Sequence, residues 1–158
     1  MKRIILMRGI PGSGKSFLAE LMNQNGVFST DQYWYDEEGI YRFDPVKLQE
    51  AHEQNRAQVE RMLARFDHGT YIVDNTNIGT RDVAPYFDLA VKYGAEISIV
   101  QVDTPLEVCL VRNSKRSQDR RIPEDVIARM FYNMVPMSCG QQLNFAHERA
   151  NQKKEGTK

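Results

Sequence analysis

The sequence predicts an α/β fold in which a parallel sheet of four or five strands is covered by helices on both faces. Three observations lead there. Short apolar runs suited to buried strands alternate with longer segments whose apolar residues recur at helical spacing. The first run, Arg3 to Arg8 (RIILMR), passes directly into Gly9-Ile10-Pro11-Gly12-Ser13-Gly14-Lys15-Ser16, and Phe17 to Met22 (FLAELM) then follows a helical pattern. A strand, a glycine-rich loop of the form G-x-x-x-x-G-K-[ST] and a helix, in that order, read as a phosphate-binding P-loop. Finally, 158 residues suffice for one domain with one core, and not for two of ordinary size.

The remaining elements follow along the chain. Val27 to Ser29 is a candidate second strand, Tyr71 to Asp74 (YIVD) a third and Glu96 to Val102 (EISIVQV) a fourth. Asp44-Pro45 opens a helix of about six turns, an N-cap acceptor preceding proline at the first helical position. Leu48, Ala51, Val59, Met62 and Phe66 mark its apolar face. A shorter helix begins between Thr80 and Pro85, turns Phe87, Ala90 and Val91 inward, and stops at Gly94, suited to a left-handed C-terminal position. Pro105 and Pro123 open two more. Beyond Val135 the pattern weakens, and Asn151 to Lys158 (NQKKEGTK) has almost nothing to bury, which predicts a frayed tail. The expected organisation is one kinase-sized domain over 1–135 and a C-terminal extension over 136–158.

Composition excludes several classes. Twenty-one basic residues balance 21 acidic ones, so no global field draws the chain to nucleic acid, and any such binding is local. The opening MKRIILMRGIPG has too short an apolar stretch for a signal peptide or membrane span, which predicts a cytoplasmic protein without a membrane partner. Cys109 and Cys139 stand far apart outside any C-x-x-C, so neither a disulfide framework nor a zinc site is expected.

In a sheet of this kind ligands gather at the carboxyl ends of the strands. In the P-loop, Gly9, Pro11, Gly12, Ser13 and Gly14 shape the phosphate cradle, Lys15 reaches the β- and γ-phosphates of ATP, and the Ser16 hydroxyl reaches Mg²⁺. After the second strand, Ser29-Thr30-Asp31-Gln32-Tyr33-Trp34 faces the open end of that site. Asp31 there either aligns and deprotonates an acceptor hydroxyl late in phosphoryl transfer or caps a short helix, as Ser29 or Thr30 also could. After the third strand, Asp74 emerges from an apolar run where a metal-holding carboxylate belongs, whereas Asn75 and Asn77 suit a turn made by their side chains. Arg112 to Arg121 carries five positive charges against one negative, either a solvated helix end or a lid over a nucleotide. Arg112 and Arg116 lie one helical turn apart and could face one ligand. Asn55 interrupts the apolar stripe of the long helix with His52 nearby, and a hydrogen-bonded interior amide is the commoner role. Tyr33, Trp34, Tyr35 and Tyr41 cluster around the second loop, where they either stack a base or fill packing space.

Taken together, the P-loop, Thr30-Asp31-Gln32-Tyr33, Asp74-Asn75-Thr76-Asn77, and Val111-Arg112-Asn113-Ser114-Lys115-Arg116 before Ile122-Pro123 resemble the 5′-kinase domain of the bacteriophage polynucleotide kinase family. The resemblance covers roughly residues 1 to 135. It implies a P-loop kinase fold with a lid at about 112–122, use of ATP and Mg²⁺, and a 5′-hydroxyl of DNA or RNA as acceptor. It also implies that Asp31 is the general base, that Arg112 and Arg116 are lid arginines, and that Asp74 and Thr76 border the acceptor. One position departs: where that family carries an arginine for the acceptor's 3′-phosphate, this chain has Trp34.

Three functions are therefore in play. The first is an ATP-dependent kinase acting on a nucleic-acid hydroxyl, most simply a 5′-end. The second is a kinase for hydroxymethylated bases within DNA, motivated by Trp34 as a stacking ring for the acceptor. A nucleotide-binding ATPase switch is the third, opposed by Asp31 and by the single compact domain.

Overall fold

The computed structural model describes residues 1–135; the expected extension 136–158, its frayed tail and Cys139 lie outside the described residues. Four strands, β1 (Lys2–Arg8), β2 (Val27–Phe28), β3 (Gly69–Asp74) and β4 (Glu96–Gln101), form one sheet in the order β2-β3-β1-β4. All three pairings are parallel, and Ile5 of β1 stands between Ile72 of β3 and Ser98 of β4. Parallel neighbours need long crossovers. These are supplied by α1 (Lys15–Met22), α2 (Leu48–Arg65) and α3 (Thr80–Tyr93), and α4 (Leu106–Ser114) and α5 (Glu124–Asn133) follow β4.

Side-chain alternation along β1 and β3 divides the core into two layers. Ile4 and Leu6, with Tyr71 and Val73, pack under α2 and α3 against Val59, Leu63, Val83, Tyr86, Phe87 and Ala90. Ile5, Met7 and Ile72 point the other way, against Ala19 of α1. A third cluster of Ile10, Cys109 and Ile127 joins the P-loop to α4 and α5. Because β1 is covered on both faces, its interior is apolar without interruption, which is why RIILMR reads as a buried strand. Cys109 is a free, buried thiol, and no group of metal-ligating side chains occurs among the described residues. No helix among the described residues is long and apolar enough to cross a membrane.

Several boundaries differ from the sequence expectation. The second strand ends at Phe28 because Ser29 becomes the cap of a 3₁₀ turn, Thr30–Trp34, its Oγ accepting from the Asp31 amide at 3.2 Å. Asp44 does cap, accepting from the Val46 amide at 3.0 Å, but it opens only a 3₁₀ turn at Pro45–Lys47 ahead of α2. The buried face of α2 is Ala51, Asn55, Val59 and Leu63. Leu48, the first residue of α2, is exposed, and so is Phe66, which follows α2 in extended conformation with its ring against Arg65. Along α3 the inward stripe is Val83, Tyr86, Phe87 and Ala90, and Val91 falls beyond its edge at 61% exposed. Gly94 ends α3 in the left-handed region at φ 61°, and Pro105 and Pro123 precede α4 and α5, all as the sequence indicates.

A charged residue, Arg8, lies in the core. Arg8, the last residue of β1, is fully buried and donates to four oxygens: Asn77 O at 2.9 Å, Ile78 O at 2.6 Å, Gln101 Oε1 and Val135 O. Burial pushes its pKa down while Asp103 and Asp82 pull it back up. The planar guanidinium fork reaches several acceptors at once, which the single ammonium of lysine does not. Arg8→Met should therefore cost about 3 kcal/mol in urea unfolding, because buried carbonyls lose their donors. A loss below about 1 kcal/mol would show that water satisfies these carbonyls equally well.

Candidate active site

The P-loop is held from behind by side chains that arrive from α4 and from the segment before it. Arg112 Nη1 donates to Gly12 O at 3.0 Å and Ser13 O at 3.3 Å, and Thr104 Oγ1 donates to Ser13 O at 2.7 Å. Gly12 and Gly14 take φ of 85° and 95°, a region that side chains disfavour, and a Cβ on Gly12 would stand 2.6 Å from Cys109 O. The Gly9 amide donates to Thr76 O at 3.1 Å, which joins the loop to the segment after β3. With its carbonyls engaged, the loop presents the first-turn amides of α1, which have no intrahelical acceptors, at the position a phosphate takes.

Four chain segments contribute charge there. Burial pushes the Lys15 ammonium below the usual lysine range, Asp74 and then Asp31 draw it back up, and Arg116 adds to the downward push. Asp74 ends β3 at 8% exposed. Burial raises its pKa, opposed by Lys15 and the Ser16 hydroxyl and reinforced by Asp31 and Glu20. Its Oδ1 has no hydrogen-bond partner among the described residues. A buried, unpartnered carboxylate oxygen beside a serine hydroxyl fits the donor set of Mg²⁺, which takes one or two protein oxygens together with phosphates and waters.

Asp31 is exposed on the 3₁₀ turn that follows β2, and because Ser29 fills the capping role, its carboxylate is left for other work. Asn75 holds this turn against the end of β3, its Oδ1 accepting from the Thr30 amide at 2.9 Å and the Thr30 hydroxyl at 3.1 Å. Asn75 thus ties two strand ends together instead of making a local turn. Asn77 does turn, at φ 49°, and also donates from Nδ2 to Met7 O at 2.7 Å. Thr76 is half-buried, its carbonyl taken by Gly9.

Trp34 differs from the expectation of an open stacking ring. It is 4% exposed, edge-on to Tyr33 and Phe43 with ring centroids 4.9 Å away in both cases. These two neighbours enclose the ring at the end of the 3₁₀ turn. Tyr35 and Tyr41 pair edge-on at 5.4 Å, with the Arg120 guanidinium 5.9 and 5.5 Å from their centroids. Burial, with Asp31 adding, pushes the Tyr41 phenol up to about 12.

The basic segment is built differently from a continuous helix. α4 ends at Ser114, so Arg112 belongs to its last turn and Arg116 to the turn beyond, whose amide donates to Asn113 O at 3.0 Å. The i,i+4 helical alignment expected for the two arginines is therefore absent, although Arg112 meets the P-loop and Arg116 acts on Lys15. Asn113 closes the base of the segment, exchanging two hydrogen bonds with the Ile122 backbone at 2.7 and 3.0 Å. Sequence reasoning missed Arg8, Thr104 and Asn113. A polar residue at the end of an apolar run or inside a helix's apolar face was the available signal for Arg8 and Asn113; Thr104 carried none.

Residues 4–137 match a family model described as an AAA domain. NEDD4-binding protein 2 of Homo sapiens is 36% identical over 105 residues, covering 64% of this chain and 6% of that protein. In the solved Pnkp1/Rnl/Hen1 RNA repair complex, one chain superposes with a TM-score of 0.68 at 23% identity, covering 94% of this chain and 46% of that chain. APS kinase CysC of Mycobacterium tuberculosis, solved with AMPPNP and APS, gives a TM-score of 0.54 at 22% identity, covering 72% of this chain and 69% of that one. The two structural likenesses show the fold, that of a P-loop kinase. The chain spans a small part of the curated relative and under half of the chain from the repair complex.

The raised pKa of Asp74 has a sign that unfolding can test in metal-free protein. The folded state holds this proton more tightly than the unfolded chain, so the associated stability is complete below the ordinary aspartate value of 3.8 and lost as pH rises through the raised value. Urea unfolding of the native protein and Asp74→Asn across pH 4 to 8 should show the native protein gaining on the variant as pH falls. A difference independent of pH would mean that burial does not control this carboxylate.

Proposed function

The chain belongs to the AAA domain family, and from that premise we propose that it is an ATP-dependent kinase that transfers the γ-phosphate to a hydroxyl of DNA or RNA, most simply the 5′-hydroxyl end. The observation that carries this reading is the meeting of Lys15, Asp31, Asp74 and Arg116 from four separate segments around one phosphate loop. A nucleotide switch needs the loop and the Asp74 position; it has no use for a second, exposed carboxylate beside them. The RNA repair complex among the structural neighbours supports a nucleic-acid acceptor, and the APS kinase solved with AMPPNP supports ATP as donor.

The reaction follows from these placements. The first-turn amides of α1 and the Lys15 ammonium bind the β- and γ-phosphates and take up charge as the γ-phosphoryl group loosens. Ser16 and Asp74 are the residues that would hold Mg²⁺, which when bound would neutralise phosphate charge. The acceptor oxygen bonds to the γ-phosphorus while the bond to the β–γ bridging oxygen breaks and ADP departs. Asp31 aligns the hydroxyl and receives its proton late, when the forming phosphoester has made that proton acidic. Arg112 and Arg116 border the transferring group from the lid side, Arg112 already bracing the loop through its carbonyls. Thr76 and Asp74 flank the acceptor's approach. The base-directed alternative draws on an open Trp34 ring, and that ring is buried.

Two substitutions separate these roles. Lys15→Ala should lower kcat by roughly 10²–10³-fold in a γ-phosphate transfer assay with a 5′-hydroxyl oligonucleotide. Turnover within threefold of native would remove Lys15 from the phosphate site. Asp31→Asn should lower kcat by roughly 10²–10⁴-fold and leave the KM for ATP nearly unchanged. A parallel loss of ATP affinity would assign Asp31 to the nucleotide instead of the acceptor.

A further inference from the structure

The 3₁₀ turn that carries Asp31 has a second side. With three residues per turn, Ser29, Gln32 and Tyr35 share one track, and Asp31 and Trp34 lie off it. Ser29, Gln32 and Tyr35, together with Tyr33, line a cavity of about 270 Å³ whose other wall is Ala51, Gln54, Asn55 and Gln58 of α2. Those four positions have the spacing i, i+3, i+4, i+7 of a single helix face. The cavity therefore lies between two elements that each offer it a regular row.

Its chemistry is specific. Among its lining residues four are carboxamides, Gln32, Gln54, Asn55 and Gln58, two are phenols, and none is charged. A carboxamide presents a donor and an acceptor side by side, the pattern that matches the edges of nucleobases, and phenol rings offer faces for a flat heterocycle. A phosphate or other anion would find no cation here. The volume lies near the lower end of small-ligand pockets, about 300 Å³, and so suits one ring system more than an extended chain. Asn55 is 97% buried in the cavity wall; its Nδ2 donates to Tyr86 Oη at 2.9 Å, and its Oδ1 has no partner among the described residues. The hydrogen-bonding edges open to a ligand are therefore those of the glutamines and phenols along the lining.

We propose that this cavity receives the base of the acceptor nucleotide, so that one short turn both grips the base through Gln32 and meets the hydroxyl through Asp31. The assignment rests on the nucleic-acid reading given above and adds to it a base-selecting site separate from the phosphate machinery. It also makes the acceptor base, and not a 3′-phosphate, the main anchor of the substrate, in keeping with Trp34 standing where the resembling family has an arginine.

The test measures binding and transfer side by side. Adenosine, guanosine, cytidine, uridine and ribose are titrated into the protein by isothermal calorimetry, and oligonucleotides with each 5′-terminal base or a 5′-terminal abasic residue serve as phosphate acceptors. At least one nucleoside should bind about tenfold more tightly than ribose, and Gln58→Ala and Gln54→Ala should each remove much of that difference without moving ATP affinity. In the transfer assay the abasic end should show a raised KM with kcat retained. The proposal is overturned if nucleosides bind no better than ribose, or if neither substitution changes the preference. Base-dependent binding without transfer to any oligonucleotide would keep the pocket and remove the kinase reading. Transfer that ignores the terminal base would do the reverse.

Discussion

The buried guanidinium of Arg8 is the constraint from which the site geometry descends. It stands at the last position of the central strand, immediately before the P-loop, and binds oxygens from the loop after β3, the end of β4 and the residue that follows the cap of α5. Parallel sheets leave all their strand ends on one edge, where backbone carbonyls lose their ladder partners just where a ligand must bind. Arg8 answers that need with one side chain, at the cost of burying a charge that only distant carboxylates, Asp103 and Asp82, help to retain. Two asparagines extend the arrangement sideways. Asn77 reaches Met7, and Asn75 reaches Thr30, so β1, β3 and the turn after β2 are fixed in relation to one another.

On that platform the phosphate site combines rigid and charged parts in a definite way. The P-loop's carbonyls are engaged by Thr104 and Arg112, which directs its amides toward an anion. Lys15 and Asp74 then oppose each other in a partly dry environment: burial disfavours both charges, and each helps to retain the other's. Neither charge is fully offset by the other, so negative charge brought near Lys15 or positive charge brought near Asp74 would be favoured there. The basic segment above is a loop closed at its base by Asn113 and Ile122 and resting through Arg120 on Tyr35 and Tyr41. The basic segment is thereby in contact with the residues that follow the turn carrying Asp31.

Much of this was legible from residue types alone, and the failures have physical causes. The P-loop, the order of elements and the positions of Lys15 and Asp74 follow from apolar runs broken by residues that only phosphate chemistry requires in that order. The end of β2 at Phe28 and the outward turn of Val91 depend on competition between neighbours that a linear pattern does not record. Ser29 took the cap that Asp31 could equally have filled, and only the folded turn distinguishes them. Trp34 stayed open in the sequence for a related reason: an aromatic beside a loop is equally consistent with packing and with stacking, and in the folded chain its ring is buried against Tyr33 and Phe43. Arg8 was hidden because a charged residue bounding an apolar run normally marks the strand's exit to solvent.

β2 pairs with β3 through only two residues, Val27 and Phe28, at the edge of the sheet. The P-loop, by contrast, grows from the doubly covered centre. An element anchored so lightly has a low cost of local opening, and its exchange with solvent is set by the Asn75 contact more than by the sheet. Natural variation is tolerated most easily where little packing is at stake. Substitutions that reshape the turn carrying Asp31 are therefore open to the chain at little cost to its fold, while changes around β1 disturb the centre on which the P-loop rests.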